Sequence, residues 1–251
     1  MTRWRRHINP SYALFSPFMD NLPGFFAEKG TLLHEGRNTV KAFRLADGTP
    51  VVVKRYRVPH FLPRLGYSLG RRSKARRAFE FALRLPYLGI DTPTPVGYIE
   101  GRCGGIFGLS FFVCLHDGRP SLWDLYREDL PERDALVEGF AQWLVHAHVR
   151  GFLHGDLNLS NILYDRDDEG RLRFAVIDTN RSRFARHPGR RRCLRNMVRI
   201  SHDRTLLEDI VRAYARLRQW DAERCTRFVM EKLTHFEQRH AMKRRLDGKK
   251  E

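Results

Sequence analysis

Residues His154–Asn161 read HGDLNLSN, and Val176-Ile177-Asp178 ends seventeen residues after Asn161. A loop aspartate, an asparagine five positions on, and a second aspartate closing an apolar run form the set a phosphoryl transfer needs. Asp156 can accept a proton from an attacking hydroxyl. Asn161 and Asp178 can hold Mg2+, because an amide carbonyl and a carboxylate are both hard oxygen ligands.

The flanks fit this reading. Residues 131–150 predict an amphipathic helix with Leu136, Phe140, Leu144 and Ala147 along one face, and Gly151 reads as its stop signal. Ile162-Leu163-Tyr164 and Phe174-Ala175-Val176-Ile177 flank the polar turn Asp165–Arg171 as a hairpin. The competing reading is a helix-capping glycine, an Asp/Asn-rich turn and an unrelated strand.

Upstream, residues 12–29 read as short helical pieces. Thr39–Leu45 and Pro50–Tyr56 read as strands joined through Asp47-Gly48, a good hairpin signal. Ser73–Leu85 reads as a helix, and Val96–Ile99 and Phe107–Leu115 as two more strands. Lys54 closes Val51-Val52-Val53, where a lysine can reach ATP phosphates from a sheet. Glu80, on the following helix, is the expected carboxylate partner of Lys54. Gly36, Arg37 and Asn38 lie in a turn with one glycine, and no GxGxxG is present. They are read either as the phosphate-covering loop or as a plain hairpin tip. The shift from β-rich to helical sequence sets a boundary at 115/116: residues 1–115 form an N-terminal lead and ATP-binding lobe, and 116–251 form a helical lobe with a basic tail. From Asp203 on, Leu206, Leu207, Ile210, Val211, Tyr214 and Leu217 are candidate core, and Lys243-Arg244-Arg245 a basic end.

The 251 residues, 42% hydrophobic, suffice for one large or two small cores. A net charge of +17 attracts polyanions: nucleic acid, anionic lipid or a phosphorylated substrate. Cys103, Cys114, Cys193 and Cys225 lack metal-site spacing and read as free thiols of a reducing compartment. The N-terminus lacks a signal-peptide apolar core, and the longest apolar run, Ile106–Leu115, is too short to span a bilayer. The expected place is the cytoplasm, where the chain can touch a membrane but not cross one.

Taken in order, Lys54, Glu80, HGDLNLSN and Val-Ile-Asp178 resemble the protein-kinase-like superfamily. The stretch Leu33–Lys41, the turn Gly89–Pro95 and HGDLNLSN resemble more closely the Kdo/heptose lipopolysaccharide kinases of Gram-negative bacteria. The resemblance covers roughly residues 30 to 185. It implies an α+β, bilobal protein-kinase-like fold with a β-rich N-lobe carrying one helix and a reduced helical C-lobe. It also implies ATP and Mg2+ as cofactors and transfer of the γ-phosphate to a sugar hydroxyl of the lipopolysaccharide inner core or of another lipid-linked acceptor. Thr179-Asn180 stands where a protein kinase carries Phe-Gly, no Ala-Pro-Glu follows, and Gly155 replaces the arginine of regulated kinases. These departures fit a small-substrate kinase rather than a phosphorylation-switched one.

Two arginine-rich segments, 64–77 and 181–199, carry much of the charge. The second follows Asp178, and arginine binds phosphate and carboxylate bidentately. Contact with the acceptor or with an anionic membrane is the expectation; a solvated basic surface or nucleic-acid binding is the alternative. Two rival functions stay open: a non-catalytic pseudokinase that binds nucleic acid or membrane, and an atypical protein kinase.

Overall fold

The computed structural model describes residues 2–58, 60–127 and 130–247, with side chains given except at 61–63, 65 and 243–247. The chain divides into two compact units. The first comprises residues 1–118 and 176–181, the second residues 119–175 and 182–251. The short segment 176–181, on the helical side of the sequence-based boundary, thus packs with the first unit.

The first unit is built on one antiparallel sheet. Its strands are β1 (Thr2–Ile8), β2 (Thr31–Glu35), β3 (Asn38–Arg44), β4 (Pro50–Tyr56), β5 (Pro95–Cys103) and β6 (Ile106–Leu115), in spatial order β1-β5-β6-β4-β3-β2. The sequence-based strands are recovered, with β5 extended to Cys103. The basic N-terminus, unassigned from sequence, is the edge strand, paired from Thr2↔Cys103 to Ile8↔Gly97. Its Trp4 ring lies 5.9 Å from Phe111.

Alternation along the strands gives the sheet two faces. Val51, Val53, Ile99, Phe111 and Val113 face the helix α1 (Ser16–Phe25) and bury Met19, Leu22 and the following Phe26 against them. Lys41 ties this layer down, its ammonium donating to the carbonyls of Phe26, Ala27 and Lys29 at 2.8–3.0 Å. These carbonyls follow the helix C-terminus, where a cation is favoured. Beyond β4, α2 (Phe61–Ser68) packs on β6, and Arg64 Nε donates to the Phe107 carbonyl at 2.6 Å. On the other face, α3 (Lys74–Arg84) is capped by the Ser73 hydroxyl and packs on β5 and β6. Its buried stripe is Ala75, Ala78, Phe79 and Ala82, with Phe79 against Tyr98 and His7. Alanines at three of these positions let the helix axis approach the sheet closely.

The second unit is mainly helical. Its helices are α4 (Arg133–Val149), α5 (Arg190–Met197), α6 (Arg204–Leu217) and α7 (Ala222–Asp247). Leu136, Phe140, Leu144 and Ala147 of α4 are buried, as their spacing predicts. Asp203 caps α6 through Leu206 N, and Leu206, Leu207, Ile210, Val211 and Tyr214 are fully buried. Leu217 is not core as expected: it is 38% exposed, because α6 ends there and turns at Gln219. The side chains of Lys243-Arg244-Arg245 lie outside the described ones. Two strand pairs accompany the helices. β8 (Ile162–Arg166) pairs with β9 (Leu172–Val176), and the two-residue strands β7 (Phe152–Leu153) and β10 (Arg183–Phe184) pair antiparallel.

Gly151, the stop signal of α4, does more than end a helix. Its φ is +81°, its carbonyl accepts from Ala185 N at 2.8 Å, and a Cβ there would sit 2.0 Å from the Ala185 carbonyl oxygen. Gly151→Ala is therefore expected to combine left-handed strain with a backbone clash and to cost at least ~2 kcal/mol. Denaturant unfolding measures this; an unchanged midpoint would show that β7 and β10 tolerate separation at this point.

Candidate functional site

In the first unit, Lys54 Nζ lies 2.7 Å from Asp178 Oδ2, and both side chains are largely buried. Lys54 sits on the sheet face of Val40 and Phe112, the face that α3 covers, and its ammonium is 5.6 Å from the Tyr56 ring. Asp178 has φ +55°, a left-handed conformation that aspartate adopts more readily than most residues. Two bonds hold its approach in register: Val176 N donates to the Asp91 carbonyl at 2.9 Å, and the Thr92 hydroxyl donates to the Val176 carbonyl at 2.7 Å. The turn Gly89–Pro95 thus clamps the segment that carries Asp178. Asn180 Nδ2 donates to Asp178 Oδ1. The buried Tyr56 hydroxyl has its pKa raised well above the usual range, first by burial and then by the Asp178 charge.

Glu80 does not partner Lys54, contrary to the sequence expectation. Its Oε1 takes Arg76 Nε at 2.8 Å and its Oε2 takes Arg72 at 3.1 Å. The reason is helical phase. Glu80 lies just off the buried stripe of α3, and an arginine one turn earlier is its nearest cation. The helix adds positive charge instead. Lys74 is held below the usual lysine range by burial, then by the guanidinium groups of Arg37, Arg181 and Arg77, with Asp178 opposing. Gly36, Arg37 and Asn38 line an open pocket of about 660 Å³ with Thr39, Arg55, Arg57 and Leu109. Strand alternation puts Thr39 and Arg55 on the sheet face opposite Lys54.

In the second unit, HGDLNLSN forms a tightly bonded loop after β7. Asn158 Nδ2 and Asn161 Nδ2 both donate to the Asp156 carbonyl, at 3.0 and 2.9 Å. The Ser160 hydroxyl donates to Asn158 Oδ1 at 2.6 Å, and Leu157 and Leu159 anchor the loop in the core. Asn161 keeps its amide oxygen as an acceptor, because its nitrogen makes the loop bond. Asp156 Oδ1 lies 2.9 Å from Arg199 Nη2.

A chain of bonds behind the loop was not legible in the sequence. Asp156 N donates to His154 Nδ1 at 3.2 Å, and Asn196 Nδ2 of α5 donates to the His154 carbonyl at 2.6 Å. Asn196 Oδ1 faces His148 Nε2 at 3.1 Å, and His148 Nδ1 faces the Tyr214 hydroxyl at 2.9 Å. The amide oxygen only accepts, so His148 carries its proton on Nε2 and accepts from Tyr214. His148 lies on the buried face of α4, where periodicity reads it as ordinary core.

The family model described as lipopolysaccharide kinase (Kdo/WaaP) family matches residues 59–219, more than half of the chain. The chain belongs to the Kdo/WaaP lipopolysaccharide kinase family. That family is one of kinases, so its chemistry is phosphoryl transfer. No curated protein matches the chain. Among solved structures, WaaP in complex with acyl carrier protein is similar at 21% identity and a TM-score of 0.58, over 95% of this chain and 98% of that one. The Rio2 kinase of Chaetomium thermophilum, in its ADP/Mg2+-phosphoaspartate complex, is similar at 16% identity and a TM-score of 0.52, over 83% of this chain and 65% of that one. At these identities the likeness concerns the fold, and the α+β kinase-like fold expected from the sequence is the one observed, except that the first unit carries three α-helices among the described residues rather than the one expected. Among the described residues of this Kdo/WaaP family chain, no helix is long and apolar enough to cross a membrane.

Two outcomes follow from the geometry. Burial pushes the His148 pKa down from 6.5 to about 4. The unfolded chain therefore binds a proton more readily than the folded one between those values, and stability falls as pH drops through that window. About 2 kcal/mol should be lost by pH 5, and His148→Gln should flatten that part of the melting-temperature profile between pH 7 and 5. An unchanged slope would remove His148 from the acid response. Second, the ion pairs of Glu80 are partly exposed and weak. Glu80→Gln should leave the KM for ATP within about twofold, whereas a large rise would restore Glu80 as a nucleotide-site residue.

Proposed function

We propose that this chain transfers the γ-phosphate of ATP to a hydroxyl of a lipopolysaccharide inner-core sugar, Kdo or heptose. The observation that carries this reading is the Lys54–Asp178 pair at 2.7 Å in a Kdo/WaaP family chain that also keeps the complete Asp156–Asn161 loop. Lys54 engages the ATP phosphates. Asp156 orients the acceptor hydroxyl and takes its proton.

The residues present fit Mg2+. Each by itself is suited to the ion: Asp178 through its carboxylate in the first unit and Asn161 through its amide oxygen in the second, both hard ligands. Among the described residues, no group of three or more His, Cys, Asp or Glu forms a closed metal cage. A cage is not required, since Mg2+ keeps waters and takes substrate phosphates alongside one or two protein ligands. When bound, the ion supplies charge neutralisation for the transferred phosphoryl group. The surplus of cations near Asp178, Lys74 and Arg181 among them, suits a polyphosphate. Gly36, Arg37 and Asn38 are assigned to nucleotide binding through the β2–β3 turn, with Arg37 close enough to influence Lys74. Glu80 is left out of this set.

The acceptor side is basic. Arg190, Arg191, Arg192 and Arg195 are exposed on α5, and this supports contact with an anionic, lipid-linked acceptor at a membrane surface. The protein would then work as a peripheral enzyme on the cytoplasmic face. WaaP has been solved with an acyl carrier protein, and a protein partner of that type is proposed here as well.

The test is to incubate the protein with ATP, Mg2+ and lipopolysaccharide core acceptors or a generic protein substrate, and to locate the phosphate by mass spectrometry. Asp156→Asn should bind nucleotide normally and turn over about 10²-fold more slowly. Asp178→Ala should lose Mg2+-dependent nucleotide binding. Phosphate found on protein and not on sugar would replace this reading with an atypical protein kinase. Near-normal turnover of Asp156→Asn would remove that residue from the chemistry.

A further inference from the structure

Arg199 is exposed, and its guanidinium has two neighbours of different kinds. One is Asp156 Oδ1, at 2.9 Å from Nη2. The other is the ring of Phe236 on α7, whose centroid is 5.1 Å from the guanidinium carbon. The next arginine along, Arg204, is taken up by Glu237 and Thr234 of the same helix. Arg199 instead turns to the aspartate of the HGDLNLSN loop.

This pairing conflicts with the role assigned to Asp156. An oxygen engaged by a guanidinium is not open to a hydroxyl on the same side. The pair is open to exchange from the arginine side: the Arg199 side chain is 45% exposed, whereas that of Asp156 is 22% exposed and its engaged oxygen is shielded from water. The aromatic contact keeps the guanidinium in place while leaving its donors available. Replacing one anion by another on a planar fork costs little, provided the newcomer is a carboxylate or phosphate that binds bidentately.

We infer that Arg199 is a specificity-determining residue of the acceptor site. It captures a carboxylate or phosphate carried by the acceptor sugar near the reacting hydroxyl, and this exchange releases Asp156 to that hydroxyl. The inference rests on the reading of Asp156 as the acceptor-side group. It deepens that reading by naming the acceptor class: a sugar bearing an anionic substituent, not a neutral one. A neutral sugar leaves Arg199 on Asp156 and gains nothing from it. Phe236 acts through Arg199 and is a positioning residue.

Equilibrium binding without nucleotide tests this independently of turnover. The probes are a methyl glycoside of Kdo, which carries a carboxylate, its neutral methyl ester, and a heptose phosphate. The wild-type protein should bind at least one anionic probe about tenfold more tightly than the ester, the scale of one charge-assisted contact. Which anion gains tells carboxylate from phosphate. Arg199→Met should abolish the difference and leave ester binding unchanged, and Arg199→Lys should restore part of it. In turnover, Arg199→Met should raise the KM for the anionic acceptor and not the KM for ATP. Should Arg199→Met fail to fold, Phe236→Leu reports instead, with a loss of about threefold confined to the anionic probe. Equal binding of acid, phosphate and ester by the wild type would overturn the inference. So would a variant that weakens charged and neutral probes alike, since Arg199 would then only brace Asp156. Anion-selective binding without phosphate transfer to any sugar would instead discard the transfer reading and leave the anion site standing.

Discussion

The pair between Lys54 and Asp178 is the contact on which the candidate donor site depends. It joins a strand of the first unit to a segment that reaches that unit only after the chain has built the β8–β9 hairpin elsewhere. Withdrawing two charges from water is costly, and their attraction offsets this only with good geometry and further bonds. Asp178 has both: Lys54 on one oxygen and Asn180 on the other, with the backbone pinned by Asp91 and Thr92. The left-handed φ of Asp178 persists because these contacts over-determine it.

The HGDLNLSN loop is organised by a different kind of force. Its inner side is a series of neutral hydrogen bonds running from Tyr214 through His148 and Asn196 to His154, almost wholly buried. Such a network is stable only while each member is satisfied and the histidine stays uncharged. The outer side carries charge, where Asp156 meets the exposed Arg199. The loop is thus braced from behind by hydrogen bonds and held in front by an ion pair.

Much of this was legible in the sequence, because it rests on local pattern. The hairpin at Asp47-Gly48, the helix of Leu136 to Ala147 and the spacing of HGDLNLSN each follow from short-range rules, and the last of these also carries the family resemblance. What stayed hidden depends on long-range pairing. The N-terminal strand has a basic, unpatterned sequence, and only β5 makes it a strand. The partner of Lys54 was misassigned because Phe79 and Phe81 flank Glu80 and leave the phase of α3 undecided, whereas the fold points Glu80 at Arg72 and Arg76. Nothing in the spacing of His148 and Asn196 announces that they brace a loop 42 residues from Asn196 at its far end. Arg199 stood out only as one member of an arginine-rich run.

The return of residues 176–181 to the first unit also bears on how the protein is made. Domains emerging from a ribosome generally fold N-terminal first and as units. Here the first 118 residues lack a piece of their own unit, the piece that carries the partner of Lys54. The edge strand likewise waits for Cys103 to emerge before its register can close. A nascent chain therefore completes this unit only after the β8–β9 hairpin and the five residues beyond it have been synthesised. Contacts so distant in sequence are slow to form, so Lys54 waits for its aspartate until the chain has passed the β8–β9 hairpin.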